Sequence, residues 1–412
     1  GSLPTASVIT FTAVNDLNTS ANFTDFQAPS YIDVTYPRLL NLNGANTLKF
    51  SLNTSQNNAF LRFTNSNLRN SIILDNSTNT IYNETKSNGN SEFVVNAIPN
   101  IKYYLADLNA TTNAILEPVT FKNFTAGDVK PYLIISNKSF ASGADDYKSY
   151  NETRNLSTLI AYTEDLYNEF FYGFHHPLAI RNFVSWSLDK KTTKPVYMLL
   201  LGNGAELSKA NLAIDFVPSI GYPPSDNMLT SGLNESLFEP GLITGRIPAT
   251  NNIDISNYLD KLKSYNSLPD SLWRKKLLHI SGGKNLSENN SWSNFQNRFF
   301  AFAKAESFGA RVSVIKKNVN DVITENQTER VIRETNQGIS LLSYFGHGAS
   351  TGTEVSFGEP RNYNNKNKTP VYLVNGCSTG NVFSNSNSLA EQFVLQKDFG
   401  GIAWMGTTSE GT

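Results

Sequence analysis

Two short stretches hold the residues most suited to covalent chemistry. "SLLSYFGHGAS" sets His347 between Gly346 and Gly348, and "TPVYLVNGCSTGNVF" carries Cys377, the only cysteine among 412 residues. A thiolate attacks carbonyl carbon, and a neighbouring imidazole stabilises it or accepts its proton. Brought together, these two side chains would perform nucleophilic acyl transfer. The flanking glycines let a substrate approach the backbone closely. They also free the N–H groups of Gly348 and Cys377 to face an oxyanion, a contribution of about 3–4 kcal/mol per donor. Taken singly, a cysteine after an apolar run reads equally well as an inert buried thiol.

Other chemistries find less support. His175 and His176 in "FYGFHHPLAIRNF" are adjacent, so they do not share a helical face, and they read as a helix–loop junction before Pro177. His279 lies inside an apolar run and reads as structural. "LLLGNGAE" lacks the glycine spacing of a phosphate loop, and no G-x-S-x-G elbow is present for serine catalysis. One cysteine excludes an internal disulfide framework and a cysteine-rich metal site.

For His347 and Cys377 to meet, the segments before them must be neighbouring strands. From "GDVKPYLIIS" onward the chain alternates apolar runs with amphipathic segments. The runs are "YLIIS", "TLIAYT", "VYMLLLG", "KLLHIS", "RVSVIKK", "ISLLSYF", "VYLVNG" and "GIAWMGT". Continuous apolar runs of this length suit parallel strands covered on both faces, and alternation with helices gives an open α/β sheet. Ligands bind outside the carboxyl ends of such strands, where both motifs fall. Among the helical segments, Tyr258, Leu262 and Tyr265 share one face, as do Phe295, Phe299 and Phe302 before a stop at Gly309. Ser388 and Glu391 stand at capping-box spacing.

The first third has a different character. "ASVITFTAV", "TLKFSLN", "AFLRFTN", "SIILD" and "SEFVVNAI" alternate apolar with polar residues between turn clusters such as "NLNGAN" and "KSNGN". This predicts a β-sandwich or barrel without catalytic residues. The expected organisation is a β-sandwich-like domain over residues 1–128, a first α/β sub-domain over 129–266 and a second over 267–412 that carries the reactive pair.

A hydrophobic fraction of 39% supplies real cores, and a net charge of −1 without any basic block excludes a nucleic-acid partner. "VYMLLLG" is far shorter than the roughly 20 apolar residues of a membrane span. The opening "GSLPTAS" has no signal-peptide pattern, and its Gly-Ser pair reads as a cloning remnant. Abundant Asn, Ser and Thr in the first third hint at an exported protein.

From about residue 130 onward, several blocks in order resemble the gingipain family of cysteine peptidases. "PYLIIS", "YTEDLYNEFFYGFHHPLAIRNFVSW", "PVYMLLLGNG", "YPPSDNML" and "LITGRIPATN" are followed by "NQGISLLSYFGHGAS" and by the block around "NGCSTGN". The last is closer to the PorU-like branch, the sortases of the type IX secretion system. The resemblance implies a caspase-like fold, with Cys377 as nucleophile and His347 as general base and acid. It implies structural calcium as well, although no compact acidic loop places it. One departure stands out. The family carries an acid just after the strand matching "KLLHIS" to orient the histidine, and here that place reads Gly282-Gly283, with Glu288 the nearest acid. Either Glu288 reaches back, another group serves, or the pair works as a dyad.

The expected function is that of a cysteine endopeptidase or sortase-like transpeptidase. No cofactor is required for the chemistry. The expected partners are protein or peptide substrates and other secretion-system components. The expected location is exported, in the periplasm, at the outer-membrane surface or outside a bacterial cell. The alternative is a catalytically impaired caspase-like subunit or binding module, favoured by the Gly282-Gly283 departure.

Overall fold

The computed structural model describes residues 10, 34–189, 193–205, 215–233, 239–317, 325–384 and 387–410. The expected strand "ASVITFTAV" lies outside them. Contacts divide the chain into two compact units, Gly1–Pro118 and Val119–Thr412.

The first unit is a β-sandwich. Its strands are β1 (Thr47–Phe50), β2 (Gln56–Phe63), β3 (Ser71–Asp75), β4 (Thr80–Asn83), β5 (Thr85–Ser87), β6 (Asn90–Ala97) and β7 (Tyr103–Asp107). They form two antiparallel sheets, β1-β7-β3-β4 and β2-β6-β5. Alternate residues of β2, β3, β6 and β7 are buried, the period of two that a half-covered sheet demands. Both sheets feed one core around Phe63, Ile73, Phe93, Tyr103 and Leu105. The asparagine richness has a local cause: Asn43, Asn65, Asn79, Asn88 and Asn100 adopt the positive φ that turns require and that asparagine tolerates. Strand β7, "YYLAD", was not among the expected strands, though Tyr103, Leu105 and Asp107 alternate inward.

The unit boundary at 118 falls ten residues before the change of sequence character near 128. The Glu169 carboxylate accepts from the backbone N–H groups of Asn123 and Phe124. The Phe124 ring packs on Phe170 and Phe183, so this segment is bound to the second unit.

That second unit holds two parallel sheets. The first sheet is built from β8 (Tyr132–Ser136), helix α1 (Ala141–Thr153), β9 (Thr158–Tyr162), helices α2 (Thr163–Phe170) and α3 (Leu178–Leu188), and β10 (Tyr197–Leu201). After a short hairpin of β11 (Ile220–Gly221) and β12 (Pro224–Ser225) comes β13 (Ile243–Ile247), and the order is β13-β10-β8-β9. Helix α4 (Asn252–Ser267) leads to the second sheet, formed by β14 (Lys276–Gly282), α5 (Leu286–Lys304), β15 (Arg311–Lys316), α6 (Glu325–Gln337) and β16 (Leu341–Gly346). A hairpin of β17 (Gly348–Ala349) and β18 (Gly352–Thr353) precedes β19 (Val371–Asn375), α7 (Leu389–Leu395) and β20 (Ala403–Gly406). The order is β15-β14-β16-β19-β20, every pair parallel. All eight apolar runs are strands, and β8, β10, β14 and β16 carry consecutive buried residues, as strands covered on both faces do, whereas edge strand β20 leaves Ala403 and Met405 exposed. Strand β13, "ITGRI", is an additional edge strand with only alternate residues turned inward.

Helix α5 departs from expectation. Its buried residues are Asn289, Ser293 and Gln296, while Phe295, Phe299 and Phe302 face outward. The polar face is inward because it serves the strand ends. Asn289 bonds to the backbone at Gly283 and Lys317, Gln296 donates to the Ile280 carbonyl, and Ser293 meets Ser281. The other predicted faces pack inward: Tyr258 and Leu262 of α4 border a core centred on Ile134, Leu201, Ile255 and Leu259. At α7 the capping box is complete, Ser388 N–H donating to Glu391 and Glu391 N–H to the Ser388 hydroxyl.

Candidate active site

Strands β16 and β19 are parallel neighbours, with Leu341 opposite Val371 and Phe345 opposite Asn375. His347 and Cys377 therefore leave the same edge of the sheet within two residues of paired positions. The two backbones touch. A β-carbon added at Gly348 would lie 3.3 Å from the Cys377 carbonyl oxygen and 2.6 Å from the Thr379 methyl, and one added at Gly376 would lie 3.0 Å from the Gly346 carbonyl. Glycine at 348 and 376 is thus what lets the two loops close on each other.

Cys377 is partly exposed, unlike a core thiol. Its loop is fixed from below. Ser378, at φ 55°, turns the chain, and its N–H donates to the Ser409 carbonyl at 2.7 Å. Gly380 N–H donates to Thr407 O at 2.8 Å, and the Thr379 and Thr407 hydroxyls both donate to Gly376 O. Among the described residues, the Cys377 N–H meets no acceptor. In the β17–β18 hairpin Glu354 N–H donates to His347 O. Alternation of bonded and non-bonded pairs then makes Gly348 and Thr353 the non-bonded pair, whose N–H groups point out of the hairpin.

The histidine is held on three sides. Its Nε2 lies 3.2 Å from the Glu288 Oε2, and its ring meets Trp292 edge-on at 5.2 Å between centroids. Its carbonyl accepts from the Tyr344 hydroxyl at 2.6 Å, and that oxygen in turn accepts from Glu354 N–H at 3.1 Å. Burial pushes the Tyr344 phenol well above its usual range, so it stays a neutral donor. The phenol occupies the space that side chains at Gly282 and Gly346 would need. Side chains have no room at the end of β14: Tyr344 fills the space at Gly282, and Asn289 and Glu288 fill it at Gly283.

Glu288 reaches back from the first turn of α5. Asn285 caps that helix by accepting from Glu288 N–H, while the carboxylate accepts from Lys284 N–H at 2.8 Å and from the Asn285 amide at 3.0 Å. The Lys284 N–H bond holds the Glu288 carboxyl below the usual range. Desolvation opposes this, and the His347 hydrogen bond and charge add to it. A helix N-terminus favours a carboxylate in the same sense.

The remaining histidines stand elsewhere. His279 is buried in β14, its Nδ1 2.8 Å from the Ser343 hydroxyl and its ring edge-on to Phe300, and burial pushes it down to about 4. His175 pairs with Asp215 at 3.0 Å. That second His–carboxylate pair has no local sequence signal, because Asp215 is 40 residues away. Arg246 of β13 lies within "LITGRIPATN" and ties the first sheet's edge together. It makes a two-point contact with Asp226, donates to the Gly202 and Val217 carbonyls, and lies over the Phe383 ring beyond the cysteine loop. No group of three or more His, Cys, Asp or Glu able to hold a metal occurs among the described residues.

Residues 125–412 match the model of peptidase family C25. The chain belongs to that family. Solved structures agree in fold. The chain resembles the Arg-specific cysteine proteinase gingipain R (RgpB) at 20% identity and TM-score 0.56, covering 71% of this chain and 65% of that one. For the complex of Porphyromonas gingivalis RgpB pro- and mature domains the figures are 21%, 0.56, 68% and 64%. The dimeric latent PorU of Porphyromonas gingivalis matches at 19% identity and TM-score 0.39 over 55% of this chain and 26% of that chain. The chain therefore spans just under two thirds of the RgpB chains. No curated protein matches it.

Proposed function

We propose that the C25 unit is a cysteine peptidase acting through an acyl-enzyme on Cys377. The observation that carries this reading is the meeting, at one sheet edge, of a part-exposed thiol, a carboxylate-paired imidazole and two outward N–H groups. Glu288 engages Nε2 and leaves Nδ1 to exchange a proton with the thiol. His347 takes the Cys377 proton, and the thiolate attacks the peptide carbonyl. The oxyanion rests on the N–H groups of Gly348 and Cys377. The C–N bond breaks as His347 protonates the leaving amine, giving a thioester. Water attacks next, His347 removes its proton, and the C–S bond breaks to return the thiol.

The same acyl-enzyme, attacked by an amine instead of water, gives a transpeptidase. The site leaves the edge beside His347 open to either nucleophile. An exported, surface or periplasmic setting, with substrates drawn from a type IX secretion system, follows from the PorU-like block around "NGCSTGN" and remains part of this proposal. The contact from Glu288 to His347 supports a catalytic site over an impaired subunit.

A library of peptidyl acyloxymethyl ketones tests the proposal. One adduct per chain on Cys377, located by mass on its tryptic peptide and lost in His347→Ala, is the expected result. No adduct from any library member would overturn it. A cleavable peptide built on the best-labelling ketone's sequence, turned over with added glycine amide, then separates the two acceptors by the mass of the released acyl product.

A further inference from the structure

The outward aromatic face of α5 leads directly away from the active site. Trp292 packs on His347, and Phe295, Phe299 and Phe302 continue its stripe at helical spacing, with 51%, 49% and 80% exposure. Phe345, at the end of β16, lies beside Phe299 at 6.1 Å and joins the stripe to the sheet edge. A helix that buries Asn289, Ser293 and Gln296 while exposing three phenylalanines is using its apolar face for something outside the fold. Its charges are one-sided. Glu288, committed to His347, is the only carboxylate on the helix. Arg298 lies against the Phe295 ring, Lys304 lies over Phe300, and Lys284 precedes the first turn.

Resting on the peptidase reading, we infer that this stripe is the binding track for the substrate segment on the C-terminal side of the scissile bond, and that it selects apolar side chains interspersed with carboxylates. The direction follows from the chemistry. The general acid must stand beside the leaving amine, so the chain beyond that amine departs past His347, where Trp292 begins the stripe. From Trp292 to Phe302 is ten residues of helix, about 15 Å at 1.5 Å per residue. An extended peptide covers that in about four or five residues. Apolar rings bordered by cations that make no ion pair among the described residues match apolar side chains and carboxylates, and they disfavour a lysine-rich segment.

The test uses the full 412-residue chain with Cys377→Ala. Two fluorescein-labelled pentapeptides with free N-termini, one alternating Leu and Phe with Glu and one alternating Ser and Gly with Lys, are titrated by anisotropy. The acidic apolar peptide is expected to bind at least about tenfold tighter, and a Phe299→Ser/Phe302→Ser background should erase most of that difference. Equal binding of both peptides, or a preference untouched by the double substitution, overturns the inference. So would a concentration-dependent dimer or binding to phosphatidylcholine vesicles that the double substitution abolishes, since the stripe would then belong to a second copy or to lipid. Alkylation of Cys377 by iodoacetamide in the unsubstituted chain is read alongside. An activated thiol without peptide discrimination defeats the track alone, and an inert thiol defeats the peptidase reading while the binding result stands.

Discussion

The two parallel sheets each carry a histidine–carboxylate pair, yet only one of the pairs stands beside a thiol. In the first sheet, Asp215 is buried, receives the Ala205 N–H at 2.9 Å just beyond β10, and pairs with His175, whose ring lies on Tyr167. Its hydrogen bonds tie a loop to α2 and the α2–α3 connection. In the second sheet, Glu288 and His347 are each about one third exposed, at 34% and 38%. The neighbouring strand there leads to a thiol whose N–H meets no acceptor among the described residues. A histidine and an acid in contact therefore do not by themselves mark the candidate site. The two histidines are similarly exposed, and the pairs differ in the acid, 34% exposed for Glu288 against 6% for Asp215, and in the thiol alongside.

Substitutions can break this comparison. Cys377→Ala and His347→Ala should each reduce turnover of any substrate by at least about 10⁴-fold, since the residues act as one unit. Steady-state assays on the substrate class that the ketone library identifies would show this. Gly282→Ala should destabilise the unit by roughly 2–4 kcal/mol by driving a methyl into the Tyr344 phenol. A Tyr344→Phe background should recover much of that loss in urea unfolding, because removing the oxygen vacates the space.

Glu288→Gln should cost about 10–100-fold in turnover, less than the roughly 10⁴-fold loss on altering a buried triad acid, because water competes at this part-exposed site. Its pH dependence has a definite sign. The Glu288 carboxyl lies below its ordinary 4.5. The contribution of the Glu288–His347 pair is therefore complete above the ordinary glutamate pKa and fades only as pH falls through the lowered value. A pH profile of wild type against Glu288→Gln checks this. Asp215→Asn should leave Cys377 reactivity unaltered and cost about 1–2 kcal/mol of stability, the mark of a pair that only holds structure. A change in thiol reactivity there would dissolve the distinction between the two sheets.

The sequence makes the strands legible because a parallel strand buried on both faces must be apolar throughout, as "VYLVNG" and "ISLLSYF" are. The proposed pair is legible for a related reason: glycines at 346, 348 and 376 leave His347 and Cys377 little packing role. Helix α5 is misread because periodicity reveals an apolar face but not which way it turns. The choice was made by the backbone groups at Ile280, Gly283 and Lys317, which demanded Asn289 and Gln296 as partners. The reach of Glu288 is legible only as one of three options. It depends on Asn285 capping the helix and on Tyr344 filling the gap beside Gly282, two tertiary facts that spacing cannot encode. Strand β13 hides because an edge strand alternates weakly, with Gly245 and Arg246 at its centre.

The central claim, a thiol activated by His347, is tested most directly by the rate of iodoacetamide alkylation of Cys377 between pH 5 and 9 in wild type and His347→Ala. The account predicts that near pH 6 the wild-type thiol reacts at least about tenfold faster than glutathione, and that the substitution removes the advantage. A thiol that reacts no faster than glutathione across the range, or whose rate ignores the loss of His347, would contradict it.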